Sequence, residues 1–482
     1  MGIIIKNTVN ASIVSYIGVI LGVISVLYLQ TWILSPGQIG KIQLIIDKIY
    51  LFSPFVLLGT LTIAQRYIHV FKSKIEYSNF ISWNLIIPLF TTSIGCILFY
   101  LIVTDKEYIF HFFVILFLSL YISVFESMLN VKAKIVYPTI LRTIAFRLFM
   151  ILNLILFSYD LYDFDGFILG FMLTNLAHFL FLFPYFIKHM QFQFRADFSF
   201  FSHPSFKTIL TYCGYSVLGA GTGVLTSKLD TVMIKSILGD FTLVGVYAIA
   251  AHISVLIDLP RRPISQLAIP ILSQKLDENR IDEVKSLYKK SAINLYIIGG
   301  LMFALLWINI DSIFEIMKNG DQYSSGKLVV LFLGLAKVVD MAFGLNSEII
   351  SSSKFYRWNI FIMPFLAVIS ISLNLIFIPQ YAIVGSAMAT LISVLSYNII
   401  RAIIIYKKLH IHSFSIKFIY IGILIALPFA VGYFIPSQSN SYIEIIMRSS
   451  LVLFCTALPI YFFKLSDEIN GFIGKIMMIK SK

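Results

Sequence analysis

Over 482 residues the chain is 59% hydrophobic and 13% charged, with a mean hydropathy of +0.89 and a net charge of +13. No soluble core can bury that much apolar side chain, so the composition excludes a water-soluble globular protein and calls for a bilayer as solvent. The surplus of cations does not indicate nucleic-acid binding either, because that needs them clustered on one soluble face and here they are spread between apolar runs.

A span needs about 20 mostly apolar residues. Runs of that kind predict an all-α polytopic bundle of about fourteen transmembrane helices, near 10–33, 42–64, 80–103, 108–130, 138–158, 165–187, 208–235, 241–271, 290–308, 327–350, 356–378, 381–406, 416–435 and 442–463. No interval is left for a separate soluble domain. Lys6 precedes a first apolar run that is too long for a signal-peptide core and has no small-residue cleavage pattern, so span 1 reads as a retained helix. Cys96, Cys213 and Cys455 each sit inside an apolar run, which suggests packing residues rather than a disulfide or metal framework.

With the N-terminus placed in the cytoplasm, successive inner segments carry most of the cations, including Lys72 and Lys74, Lys132 and Lys134, Lys188 and Arg195, the run from Arg261 to Lys290, Lys407 and Lys408, and finally Lys464, Lys475, Lys480 and Lys482. The outer segments hold Lys41, Lys106, Lys235, Lys318 and Lys327, and acidic loops such as Asp160 to Asp165 fall outside. This is the positive-inside pattern, with both termini cytoplasmic. Trp32, Trp83, Trp307 and Trp358 are placed at proposed span ends, where an indole is half wet.

Charges inside the spans carry the functional argument, since each costs ~2.5–3.5 kcal/mol at a helix centre on insertion scales and normally faces a cavity or a partner. Span 2 contains Asp47 and Lys48 in its outer half, readable as a local pair, and Arg66 near its inner end. Span 5 carries Arg142 towards the cytoplasm and Arg147 near the midplane. Span 7 carries Lys228 and Asp230, which are two apart and therefore point in different directions, so at least one seeks a partner elsewhere. In span 10, Lys337 lies near the midplane, and Asp340, three residues on, shares its face, so the two can simply neutralise each other.

Asp230 and Asp340 are the carboxylates best placed for ion coupling, while Glu126, Asp258 and Glu348 near inner ends read equally well as solvated or capping groups. Arg448 in span 14 reads as a snorkelling residue, and Pro54, Pro88, Pro364 and Pro428 as sources of bends. The stretch from Gln274 to Lys290 reads as a short amphipathic helix on anionic headgroups or as a solvated linker. The eight histidines are dispersed, no phosphate loop, metal motif or nucleophile elbow stands out, and no cofactor is expected.

Two internal echoes map spans 1–6 onto 7–12. The turn Ile33-Leu34-Ser35-Pro36-Gly37-Gln38-Ile39-Gly40 before span 2 matches Ile237 to Gly245 before span 8. Leu152-Asn153-Leu154-Ile155 in span 5 matches Leu373-Asn374-Leu375-Ile376 in span 11, and each is followed by a glycine, Gly166 or Gly385. A six-helix step preserves orientation and gives parallel repeats.

With these patterns, the segments Lys228 to Ile234, Val244 to Ala248, Ala268 to Ser273 and Asn374 to Thr390 resemble the polysaccharide (O-antigen) flippases of the multidrug/oligosaccharidyl-lipid/polysaccharide (MOP) exporter superfamily. The likeness covers nearly the whole chain. It implies a MATE-like fold: an N-terminal lobe over 1–195, a C-terminal lobe over 196–410, and two appended helices with a cytoplasmic tail over 411–482.

It also implies alternating access in the bacterial inner membrane, a polyprenyl-diphosphate-linked glycan as cargo, membrane lipid as surroundings, and polysaccharide polymerase and other surface-glycan assembly proteins as partners. The cationic cavity expected for such a diphosphate would draw on Arg147, Lys337, Arg142, Lys228, Arg66 and Lys48. A cation-coupled drug antiporter of the same superfamily, a membrane polymerase or glycosyltransferase, and a scaffold are the alternatives. An antiporter would be expected to have twelve spans and an acidic cavity, an enzyme a sizeable outer loop, and a scaffold no midplane charge.

Overall fold

The computed structural model describes residues 14–15, 17–71, 73–102, 107–432 and 440–471. Lys6, Lys72, Lys106, Lys475, Lys480 and Lys482 and the ends of the first and thirteenth predicted spans lie outside the described residues. Every regular element among the described residues is helical. By internal contacts the chain forms two compact units, Met1–Val232 and Met233–Lys482.

The first unit contains α1 (Ile17–Ile33), α2 (Pro36–Leu57), α3 (Thr60–Tyr67), α4 (Lys74–Ile102), α5 (Ile109–Val131), α6 (Val136–Ser158) and α7 (Phe164–Met190). It also holds most of α8 (Phe206–Leu238), within which the division between units falls. The second unit continues with α9 (Phe241–Asp258), α10 (Arg261–Asp277), α11 (Ile281–Ile308), α12 (Lys327–Ala342), α13 (Asn346–Ser352), α14 (Asn359–Leu409), α15 (Lys417–Gly432) and α16 (Ser441–Phe462).

Among the described residues eight helices are each long and apolar enough to cross a bilayer, or up to ten spans when each of two bent pairs counts as one. Their outward faces carry residues such as Leu101, Phe454 and Phe462, which lipid can cover at no cost. Inside the first unit Phe80, Ile81, Met128 and Phe167 are fully buried, and Phe125 stacks on Phe186 at 4.4 Å. Inside the second, Ile257, Leu295 and Met341 form the centre of a cluster that includes Phe303 and Val338.

Three expected spans and the stretch joining the eighth to the ninth prove to be differently built. The second is α2 plus α3, bent by 53° at Leu58 and Gly59, whose left-handed backbone ends α2. The eighth stops at Asp258, because Pro260 cannot continue the hydrogen-bond ladder. The Gln274–Lys290 stretch is no separate helix: it is the last turn of α10, a short turn, and the first turns of α11. The tenth is α12 plus α13, bent by 50°. Gly344 sits in that break with φ +65 and approaches the Ala292 backbone of α11, so a side chain there would be strained in two ways.

Of the prolines expected to bend spans, Pro54 lies one turn from the Leu58 break, and Pro88, Pro364 and Pro428 lie inside helices away from these breaks.

The two sequence echoes have physical counterparts. Ser35 caps α2 in a capping box with Gln38, and Asp240, at the equivalent place, caps α9 by accepting from the Thr242 amide. Asn153 donates to the Phe167 carbonyl at 3.1 Å, and Asn374 accepts from Ser386 Oγ at 2.7 Å. In a straight helix, residues 374 and 386 would lie about 18 Å apart. The bond therefore shows that α14 is two antiparallel limbs folded at Ala382, whose backbone leaves helical geometry (φ 49, ψ −131). These are the separate spans expected over 356–378 and 381–406.

Gly385 makes the fold-back tight, since a Cβ would sit 2.1 Å from the Phe377 carbonyl oxygen. Gly385→Ala should cost about 1–3 kcal/mol, as overpacking does, read as earlier thermal unfolding of the detergent-purified protein. An unchanged melting profile would contradict this packing.

The connection after α7 is held in place. The Arg195 amide donates to Ser82 Oγ and the Asp197 amide to Asn79 Oδ1, while Asn79 Nδ2 and Trp83 Nε1 both donate to the Asp197 carbonyl. Trp83 thus lies inside α4, which starts at Lys74, rather than at a helix end, and binds a loop instead of marking a headgroup boundary by exposure. Trp32 and Trp358 lie at or beside the ends of α1 and α14 and Trp307 is next to the last residue of α11.

Candidate functional site

In the first unit the intramembrane charges separate into two ion pairs, three cation–aromatic contacts and a lone guanidinium. Asp47 of α2 is 2% exposed and fully engaged: Lys228 pairs with it at 2.9 Å, Thr231 Oγ1 donates at 2.7 Å and Gln43 Nε2 at 2.9 Å. This corrects the local Asp47–Lys48 pair, because one turn of helix brings Gln43 to Asp47 and α8 brings Lys228. Lys48 lies over the Phe99 ring at 5.9 Å, and Lys228 also over Tyr50 at 5.3 Å. Lys228 rather than the adjacent Lys48 supplies Asp47's counter-charge, and Asp230 is itself buried. Arg66 stacks on Tyr212 at 4.6 Å.

Arg142 lies within a π-helical stretch of α6, Leu141–Ala145, and Arg147 follows it. The extra residue per turn rotates Arg142 towards α5, where it donates to Glu126 at 2.9 Å. Glu126 is only 12% exposed, which corrects its reading as a solvated end group: the arginine makes its burial tolerable. His178 of α7 is buried, and the charge of Arg142 acts on it. Arg147 packs its guanidinium against Gly22 of α1, where a Cβ would come within 2.5 Å of Cζ. It makes no hydrogen bond or ion pair among the described residues.

In the second unit Lys337 and Asp340 do not neutralise each other. Asp340 is taken by Arg261 of α10, by the Tyr397 hydroxyl, and by Asn398 Nδ2 at 2.9 Å, three donors that leave Lys337 no place. Asn398 is itself fixed by Asn346 at 2.6 Å. Arg261 reaches Glu348 as well, at 3.8 Å, and Glu348 is 10% exposed rather than solvated. Arg401 lies 4% exposed within α14, its guanidinium 4.7 Å from the Tyr397 ring.

Lys337 has no ion pair or hydrogen bond among the described residues, and the charges acting on it are Asp258, Arg261 and Arg262. Charge alternation had assigned Arg261 to an inner loop. The polar interruption Tyr397-Asn398-Ile399-Ile400-Arg401 inside an apolar span was the overlooked signal, since its three polar residues recur at helical spacing.

Arg448 is likewise no snorkelling residue. It pairs with Glu444 at 2.5 Å and donates to the Ile308 carbonyl at the end of α11; Glu444 is buried and Arg448 half-buried. Among the described residues no group of three or more His, Cys, Asp or Glu side chains could hold a metal ion.

The geometry is that of a helical membrane protein: long apolar helices, broken spans, and cations set inside them. Three solved structures share the fold at low identity. The lipid II flippase MurJ in an inward closed conformation superposes with a TM-score of 0.71 at 15% identity, over 93% of this chain and 98% of that one. An inward-facing multidrug resistance MATE family transporter of the MOP superfamily gives 0.62 at 16%, over 80% and 93%. A MOP superfamily transporter from Pyrococcus furiosus gives 0.57 at 15%, over 84% and 96%. No curated protein matches the chain in sequence.

The chain is therefore a multi-pass membrane protein with the fold of the MOP superfamily. Residues 4–276 match the polysaccharide biosynthesis protein family, and the chain belongs to that family.

Proposed function

We propose that this protein is a flippase that carries an undecaprenyl-diphosphate-linked oligosaccharide, the repeat unit of an O-antigen, capsule or exopolysaccharide, from the cytoplasmic to the outer leaflet of the bacterial inner membrane. The reading includes fourteen spans, lobes over 1–195 and 196–410 with an appended pair over 411–482, cytoplasmic termini, and transport without enzymatic chemistry. The observation that carries it is the lone guanidinium of Arg147 inside an apolar helix. A half-buried cation inside a membrane helix without a counter-ion is costly, and a diphosphate is an anion that would offset the cost.

Family membership and the shared fold with a lipid II flippase support the same reading. The antiporter reading is weaker because buried Asp47, Glu126, Asp340 and Glu348 are each engaged by a lysine or arginine rather than open to a coupling cation.

The test is translocation in proteoliposomes. Protein reconstituted with a polyprenyl-diphosphate-linked oligosaccharide should expose the glycan to an external lectin or glycosidase faster than protein-free vesicles. No acceleration, together with proton- or sodium-driven efflux of a cationic dye, would favour the antiporter instead. In cells, partner glycan polymerases should be left without substrate when the gene is removed, and the lipid-linked unit should accumulate on the cytoplasmic side.

A further inference from the structure

The connection from α7 to α8 combines a fixed backbone with exposed aromatic side chains. Past Met190 it runs without regular structure to a short 3-10 turn, Phe198–Ser202. The amides of Gln193, Arg195 and Asp197 donate to side-chain oxygens of Ser78, Ser82 and Asn79 in α4, at 3.2, 2.8 and 2.8 Å. Every second amide turned to one helix means an extended chain laid flat against it. The Tyr77 hydroxyl adds a bond to the Met190 carbonyl. Yet this pinned strap leaves Phe194 70% and Phe198 75% exposed, with Phe198 beside Trp83 at 5.6 Å and Phe201 at 6.0 Å. Phe454 and Phe462 are as open, but they lie on a span, where lipid covers them; Phe194 and Phe198 lie off the spans.

Depth indicates what covers these two rings. α4 has 29 residues, about 43 Å of helix, enough to cross the hydrocarbon and both headgroup layers. Ser78 to Trp83 lie about 6–14 Å along it from Lys74, so the strap is clipped to α4 where headgroups meet acyl chains. Rings held at that level meet lipid rather than water. Around them stand the exposed cations Lys74, Lys188, Arg195 and Lys207, against two acids, Glu76 and Asp197. Asp197 pairs with Arg195 at 3.4 Å, whereas Lys188 and Lys207 have no ion pair among the described residues.

We propose that residues 191–202 form a docking surface for anionic phospholipid. Phe194 and Phe198 enter the top of the acyl layer, and Lys188 and Lys207 hold headgroup phosphate beside them. Ser78, Asn79 and Ser82, polar residues in an otherwise apolar helix, set the depth of the strap by taking its amides. A bound lipid then fixes the ends of α4, α7 and α8 at one level of the leaflet. Nothing in this depends on the identity of the cargo.

The test places a reporter on the strap of the full chain. Phe194→Trp adds one indole, read as the difference from wild type in nanodiscs of phosphatidylcholine and phosphatidylglycerol, with the acyl chains of one lipid or the other brominated. The added fluorescence should be quenched by the bromine and shielded from aqueous acrylamide, with brominated phosphatidylglycerol several-fold the more effective per molecule. Lys188→Gln with Lys207→Gln in the same background should keep the quenching and lose most of that preference, since each surface cation enriches anionic lipid about fivefold. Phe198→Trp repeats the measurement at a second position should the first variant fold poorly.

Equal quenching by the two lipids would overturn the anionic selectivity. Quenching by acrylamide and not by bromine would put the strap in water and overturn lipid docking, and protection from both would assign the surface to a second copy of the chain, which overturns it as well.

Discussion

Cells carrying Arg147→Ala together with Lys337→Ala should lose their surface glycan and accumulate its lipid-linked unit on the cytoplasmic leaflet. Each cation is expected to contribute ~1.5–3 kcal/mol through charge-assisted contacts to the diphosphate, so the pair should slow transport by about a hundredfold or more. Neither side chain is tied into a pair among the described residues, so removing both should relieve burial cost rather than destroy packing. The double variant should therefore reach the membrane in normal amount, and glycan measured per folded protein is the proper readout. Normal surface glycan in that variant would sink the cationic-cavity assignment.

A companion substitution tests position rather than charge. Gly22→Leu leaves Arg147 in the chain but fills the space its guanidinium occupies, since even a Cβ at Gly22 would lie 2.5 Å from Cζ. It should reproduce most of the transport defect.

The largest effect on stability is expected at Arg448. Replacing it with alanine takes the arginine's charge away from Glu444, which is 5% exposed, and removes a donor from the Ile308 carbonyl. Breaking a buried pair from one side costs about 3–5 kcal/mol, whereas removing both charges is often nearly neutral. Arg448→Ala should thus unfold at clearly lower temperature in detergent, and Glu444→Gln with Arg448→Met should recover most of the loss. Equal destabilisation in single and double variants would show that the pair is not the source. The same substitution loosens α16 from α11, which are also joined by Asn309 donating to Ser449 Oγ at 3.0 Å.

Hydrophobic runs made most helices legible, because in a bilayer apolar length is itself the signal. What they could not show was where a span breaks. The breaks at Leu58, Gly344 and Ala382 are set by one or two residues whose backbone leaves the helix, and the one at Pro260 by a missing amide donor, while the side chains stay apolar, so hydropathy runs across them unchanged.

Intramembrane charges were equally visible as residues, and their partners were not. Lys337 and Asp340 share a face, yet Asp340 turns to Arg261, Tyr397 and Asn398, which come from α10 and α14. Spacing along one helix predicts neighbours within that helix, whereas burial rewards the best donors from any helix within reach. Arg448 and Glu126 were misread for the same reason: a charge near a span end looks solvated until another element covers it.

The repeat was faint in the letters and plain in the bonds. Each half closes a helical hairpin with one asparagine, Asn153 reaching the Phe167 carbonyl and Asn374 accepting from Ser386. A hairpin that satisfies its own polar side chain can leave the insertion machinery as a pair of helices, with no amide left exposed to lipid while the rest of the chain is still being made. Asn374→Leu would leave the Ser386 hydroxyl to find another acceptor at that moment. The substitution should therefore act on yield during biogenesis more than on the activity of those molecules that complete the fold.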